Sequence, residues 1–431
     1  MNHNRSSTQK IGAGLLLLCS TGTTFAADQL TISGGAGLEL HDNAPLTAEK
    51  ESDLIRIASA GIGYKKPEGS FTVDLNYQAE RRDYLHNTQG DQNSLNGNAA
   101  FIWKIEPRQL EAMLYHQISQ EMTDRRGLDV SSNREERSIV TAGVDGFLHF
   151  SPVDSLVLSP RFADINFQDS TQANSQHSTI AATWDHKLGP LAALGLTGTY
   201  NHVTFDDSKN DYDMPSIMLT YSTALARLSY HAGVGYNRIN RDEGTDVNGS
   251  MVNIGAEYKG ENGWTGGGNF VHQLTDSSIG FSGLELSNDS FQSHDSNFQQ
   301  PDVIEKDQFD LYLSGRFSGG HALRFGAGYL KENYQTTPRD QNVTYVNAGY
   351  VYTVNTLWSI GADARIDRSK FLDDPDNLHY DTLRTYLTLT YTPLRPLAIR
   401  FSVGRDKRNA NVASSSYTDN VAIMGVQYRF Y

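Results

Sequence analysis

Apolar and polar residues alternate with a period of two along most of this chain. In its last eleven residues, Ala422, Met424, Val426, Tyr428 and Phe430 fall on one side of a strand, while Gly425, Gln427 and Arg429 fall on the other. Leu228, Tyr230, Ala232, Val234 and Tyr236 alternate with Ser229, His231, Gly233, Gly235 and Asn237. Trp358, Ile360, Ala362, Ala364 and Ile366 alternate with Ser359, Gly361, Asp363, Arg365 and Asp367. Phe71, Val73, Leu75 and Tyr77 do the same against Thr72, Asp74, Asn76 and Gln78. An apolar side opposite a small or polar side suits strands with lipid on one face and a wet lumen on the other. No segment carries a convincing helical period.

The connections alternate as well. Short ones at 106–108, 151–155, 188–190, 318–320 and 393–396 lie between longer polar ones at 123–134, 169–176, 206–213 and 371–379. Short turns on one rim and long loops on the other are the transmembrane-barrel pattern. The reading is all-β: a single transmembrane antiparallel β-barrel of roughly 18–20 strands, with short periplasmic turns and longer extracellular loops. An even number of strands returns both ends of the barrel to the periplasm.

The first residues change the picture of where the barrel goes. Arg5 and Lys10 precede a short apolar run over 11–18, and Thr24, Phe25 and Ala26 supply a cleavage signature. Residues 1–26 are expected to be a signal peptide and 27–431 an outer-membrane β-barrel of a Gram-negative cell. Removing Arg5 and Lys10 takes the basic residues from 36 to 34 against 50 acids, a mature net charge of −16. Such a balance argues against nucleic acid as a partner. The lone Cys19 lies in the leader, so the mature barrel has no disulfide or thiolate chemistry. Hydrophobic residues make up 38% and mean hydropathy is −0.48, too polar for spanning helices and suited to strands with one lipid face.

Several segments resemble a known barrel family. They are 37–46 (GLELHDNAPL), 49–55 (EKESDLI), 60–63 (AGIG), 74–77 (DLNY), 93–97 (NSLNG), 400–408 (RFSVGRDKR), 417–420 (YTDN) and 428–430 (YRF). The chain is similar in these to outer-membrane barrels of the putative β-barrel porin type, associated with exopolysaccharide and PEP-CTERM (exosortase) systems. The resemblance spans nearly the whole mature chain and implies a role in export or assembly of a secreted polysaccharide. It supplies no catalytic or binding residues. Two alternatives stay open: a general diffusion or oligosaccharide porin, and a structural or adhesive barrel with a filled lumen. The expected partners are outer-membrane lipid and lipopolysaccharide, the barrel-assembly machinery, and polysaccharide-export proteins.

No enzymatic site or cofactor is expected. His177 and Ser178 are adjacent, so a strand points them to opposite faces. His294 and Ser296 share a face but lie in a polar loop. The acidic runs at 373–376 and 206–213 lack cation-loop spacing and read as solvated loops. The lumen face is more informative. Arg316, Arg324, Arg365, Arg384, Arg400 and Arg429 share its phase, as do Tyr312 and Tyr386. By the same phase Arg227 falls on the lumen face too. Arginine binds sugar carboxylates through two parallel hydrogen bonds, and tyrosine stacks on sugar rings. These eight residues are the candidate polysaccharide contacts; pairing with neighbouring carboxylates such as Asp363 and Asp367 is the plainer alternative. Tyr64, Trp184, Tyr236, Tyr329, Trp358 and Tyr391 read as interfacial girdle residues. Finally, the long stretch between Leu274 and Lys306 carries Phe281, Leu284, Leu286, Phe291 and Phe298. It either folds inward to constrict the pore or stands outside as a cap.

Overall fold

The computed structural model describes residues 29–261, 263–276 and 302–430. The expected signal peptide and most of the long loop, with His294 and Ser296, lie outside the described residues. Twenty strands run β1 (Gln29–His41), β2 (Asp53–Lys66), β3 (Phe71–Tyr84), β4 (Gln92–Glu106), β5 (Leu110–Met122), β6 (Arg134–His149), β7 (Asp154–Phe167), β8 (Ser175–Lys187), β9 (Ala192–Phe205) and β10 (Tyr212–Ala224). They continue as β11 (Leu228–Arg241), β12 (Val247–Lys259), β13 (Trp264–Asp276), β14 (Val303–Phe317), β15 (His321–Tyr334), β16 (Gln341–Thr353), β17 (Trp358–Phe371), β18 (His379–Leu394), β19 (Leu397–Ala410) and β20 (Tyr417–Arg429). Each pairs antiparallel with the next, and β20 closes on β1 in the register Ser33↔Arg429 to His41↔Val421. Closure leaves no unpaired sheet edge, which is what a strand structure needs in lipid.

The period of two in the sequence becomes the two faces of this wall. Val234, Ile254, Leu387, Phe401 and Val403 point outward and are exposed, Val234 by 58%. Their register neighbours on the other parity, such as His231, Asn253, Tyr386 and Ser402, point into the lumen. Aromatics ring the short-turn rim on the outside. Trp358 stacks on Tyr391 at 4.3 Å between centroids, Phe71 on Trp103 at 5.4 Å, and Trp264 meets Phe317 edge-on at 4.5 Å. An apolar band with an aromatic girdle is the lipid-facing surface of a membrane barrel.

Turns at 67–70, 107–109, 150–153, 188–191, 225–227, 260–263, 318–320, 354–357 and 395–396 lie on one rim, with both ends of the barrel. Connections at 42–52, 85–91, 123–133, 168–174, 206–211, 242–246, 335–340, 372–378 and 411–416 lie on the other, where β13 also ends at Asp276 and β14 begins at Val303. The first rim is periplasmic and the second extracellular. Two expectations are corrected. Leu274 and Lys306 are strand residues rather than loop ends, because β13 and β14 stay paired to Asp276↔Val303. Arg227 lies in the 225–227 turn, where it pairs with Glu261, and not on the lumen wall.

Candidate functional site: the occluded lumen

The two halves of the lumen differ. Near the extracellular rim, inward side chains are buried: His177, Asn201, Asn237, Ile239, Ile304, Glu332 and Gln341. Two apolar clusters lie in this half. One joins Val203, Phe205, Tyr212, Met214 and Ile239 to Leu274 and Val303; the other joins Ile139, Ile165, Phe167 and Ala173. In the first cluster the top of the β13–β14 hairpin leans inward. The Tyr212 hydroxyl donates to Asp276 at 2.6 Å, and the Asn237 amide donates to the Leu274 carbonyl at 3.0 Å. Near the periplasmic rim, by contrast, Ser222, His231, Tyr312, Ser314, Arg316 and Arg324 are exposed on the inner wall.

The extracellular mouth is crossed by the 123–133 connection. Asn133 holds this loop in shape. Its amide donates to the carbonyls of Asp124 (2.7 Å) and Leu128 (2.9 Å), and its side-chain oxygen accepts from the Asp124 amide at 2.9 Å. The far wall then grips it. Arg408 donates to the Gly127 and Arg126 carbonyls at 2.5 and 2.9 Å, and the Tyr380 hydroxyl donates to the Arg125 carbonyl at 2.8 Å. Asp129 lies 2.6 Å from Arg134 and 3.6 Å from Arg384, which also binds Asp406 at 3.1 Å. Arg408 stacks over Tyr380 at 3.4 Å. A Gln89 bridge ties the loop to the 42–52 connection, accepting from the Ser131 amide and donating to the Ala44 carbonyl. Asp129 and Arg384 are tolerable here because each meets opposite charge, while Arg408 has two carbonyl oxygens and the Tyr380 ring as its partners.

This loop sets a pH prediction. Burial acts to raise the carboxyls of Asp124 and Asp129. For Asp129 the nearby Arg134, Arg384 and Arg408 outweigh it; for Asp124 the hydrogen bonds and charge of Arg126 do, so both titrate below the usual carboxylate value. Stabilisation from a lowered carboxyl is present above the unfolded value and is lost as pH falls through the folded one. Planar-bilayer conductance is therefore expected to stay flat from neutral pH to about pH 4 and to rise only below it. A rise already near pH 6 would place the control on a histidine instead.

The candidate contacts separate by surroundings. Arg324 pairs with Asp363, Arg365 with Asp367 at 2.6 Å, and Arg384 with Asp129 and Asp406. Among the described residues, Arg316, Arg400 and Arg429 have no carboxylate in ion-pair range; their strand positions lie toward the periplasmic rim. Tyr312 donates to Glu257 at 2.7 Å. Both Tyr312 and Tyr386 lie flat against glycine neighbours, Gly267 and Gly404, rather than standing into the lumen.

The other candidates disperse. His177 is buried in the lumen between Ser175 and Asn201, facing away from Ser178. Asp211 accepts from the Phe205 amide and Asp213 faces His202. Among the described residues no group of three or more metal-ligating side chains comes together. Sequence reading missed the inward course of 123–133. Its signal was an unusual density of paired charge, with Asp124, Arg125, Arg126, Asp129 and Arg134 in one connection.

A closed wall, an apolar outer band and a polar lumen define the class: this is an integral outer-membrane β-barrel. No family model and no curated protein matches the chain. Solved structures are similar over almost its full length. The FrpB iron transporter from Neisseria meningitidis (F5-1 variant) is 9% identical over 93% of this chain and 82% of that one, at a TM-score of 0.48. The siderophore receptor PirA from Pseudomonas aeruginosa is 11% identical over 95% and 81%, at 0.46. OpdK from Pseudomonas aeruginosa, solved with vanillate, is 9% identical over 93% and 98%, at 0.39. Likeness at this level carries nothing about cargo.

Proposed function

We propose that this barrel takes part in the export of a secreted polysaccharide, receiving it from the periplasm and releasing it past the 123–133 loop. The observation that carries the reading is the asymmetry of the lumen. Its periplasmic half has an exposed polar wall, while its extracellular half is packed. A cargo therefore meets the open side from within the cell envelope. The sequence resemblance to exopolysaccharide-associated barrels supports the same direction. The arginines divide the work. Arg324, Arg365 and Arg384 are matched by carboxylates and hold the wall and the loop. Arg316 and Arg400 are left to draw an anionic or hydroxylated chain into the entrance, since guanidinium binds carboxylate in a planar fork.

Replacing Arg316 and Arg400 together by glutamine tests this. Lumen substitutions leave the fold intact and tune selectivity. The variant is expected to reach the outer membrane in normal amount, to shift ion selectivity toward cations, and to lower secreted polysaccharide. Normal secretion by a strain lacking the whole protein would overturn the reading.

A further inference from the structure

On the periplasmic half of the lumen, β8 to β14 border an open hollow of about 1000 Å³. It is lined by short-turn residues such as Leu191 and by the wall residues His231, Asn253, Glu257, Asn269 and Tyr312. We infer that this hollow is a binding site for a sugar ring of the polymer, with Tyr312 as the stacking platform; the inference rests on the export reading for its choice of ligand.

The chemistry is as follows. Two flat rings lie along the wall instead of standing up from it. A β-carbon on Gly267 would fall 2.6 Å from the Tyr312 hydroxyl oxygen, and one on Gly255 would collide with the His231 ring. The glycines therefore make room for each ring to lie down and turn a face to the lumen. Tyr312 is 42% exposed, so its face is open. The axial C–H groups of a hexose pack on such a surface, an aromatic contact that adds to plain area burial. Around the platform stand hydrogen-bonding groups of both kinds. Glu257 accepts from the Tyr312 hydroxyl at 2.7 Å and lies 2.9 Å from Lys259, so it presents an oriented carboxylate whose charge is compensated. His231 Nε2 lies 3.0 Å from Asn253 Oδ1, which fixes the imidazole. Among the described residues, the Asn269 side-chain oxygen, buried beside Gly255, has no hydrogen-bond partner. An unmet buried acceptor costs free energy that a donor arriving with a ligand would offset after a small side-chain rotation. Compensated charge, amides, an imidazole and an open aromatic face suit a neutral polyhydroxylated ring better than an ion or an apolar molecule.

Saturation-transfer NMR on the full chain in detergent micelles tests this with three neutral probes: cellohexaose, maltohexaose and chitohexaose. Transfer to the ring C–H protons of at least one probe is expected. Tyr312→Ala should weaken that probe about fivefold, the scale of one aromatic contact. Glu257→Gln should weaken it less, and Tyr115→Ala, on β5 and well away from the strands that line the hollow, should leave it unchanged. Heat-modifiable migration on gels checks that each variant is folded. Absence of transfer from all three probes, or equal transfer by Tyr312→Ala and the parent, overturns the site. Sugar binding that depends on Tyr312, found together with normal secretion in the deletion strain, would keep the site and remove the export reading.

Discussion

Replacing residues 124–132 by a short glycine–serine turn is expected to raise single-channel conductance several-fold. The loop crosses the extracellular mouth and is held from the far wall by Arg408, Tyr380 and Arg384. Its removal takes away the clasp that closes one side of the mouth while leaving β5 and β6 paired over their full register. Arg408→Ala is the milder form. It deletes two hydrogen bonds and the stack on Tyr380 but leaves the Asp129 ion pairs, so conductance should become noisy, with brief openings, rather than uniformly high. Recordings in planar bilayers separate these outcomes. Equal conductance for the parent and the loop replacement would mean that the packed hairpin top at Leu274 and Val303 alone closes the lumen.

The second large effect is on assembly. Removing residues 428–431 should abolish the heat-modifiable barrel and leave unfolded chain for periplasmic proteolysis. Tyr428 pairs with Gly34 on β1 and with Leu397 on β19, and its ring meets Phe430 at 4.9 Å on the outer girdle. Without them the seam between β20 and β1 opens at the periplasmic rim, and unpaired backbone there faces lipid at a cost of several kcal/mol per group. Normal membrane insertion of the truncated chain would show that the seam closes without its terminal aromatics.

Much of the wall was legible because each strand carries its environment in its own alternation. Ile360, Ala362 and Ala364 face outward and Asp363, Arg365 and Asp367 inward, as their order in the chain requires. The rim asymmetry was legible for the same local reason, since turn length is written in consecutive residues. What lay hidden was non-local. Nothing near Asp129 announces Arg384, and nothing near Arg126 announces Arg408. The pairing of Arg324 with Asp363 depends on two intervening strand registers. The separation of arginines into matched and unmatched groups therefore needed the closed barrel. The glycines under Tyr312 and Tyr386 had the same obscurity: in sequence they read as small polar-face residues, and their service as hollows for a neighbour's ring appears only with the register.

The grip on the 123–133 loop also has a bearing on time. Its bonds join residues 255, 281 and 282 positions apart along the chain. Tyr380 and Arg408 lie on β18 and β19, far along the chain from the loop, and contacts of such long span form late because the intervening chain must first be ordered. Until β18 and β19 are in place the loop has no seat on that side. The barrel must therefore pass through a stage in which its wall is nearly complete and this clasp is still open, and the seal on the cell exterior is set by the final steps of its own construction.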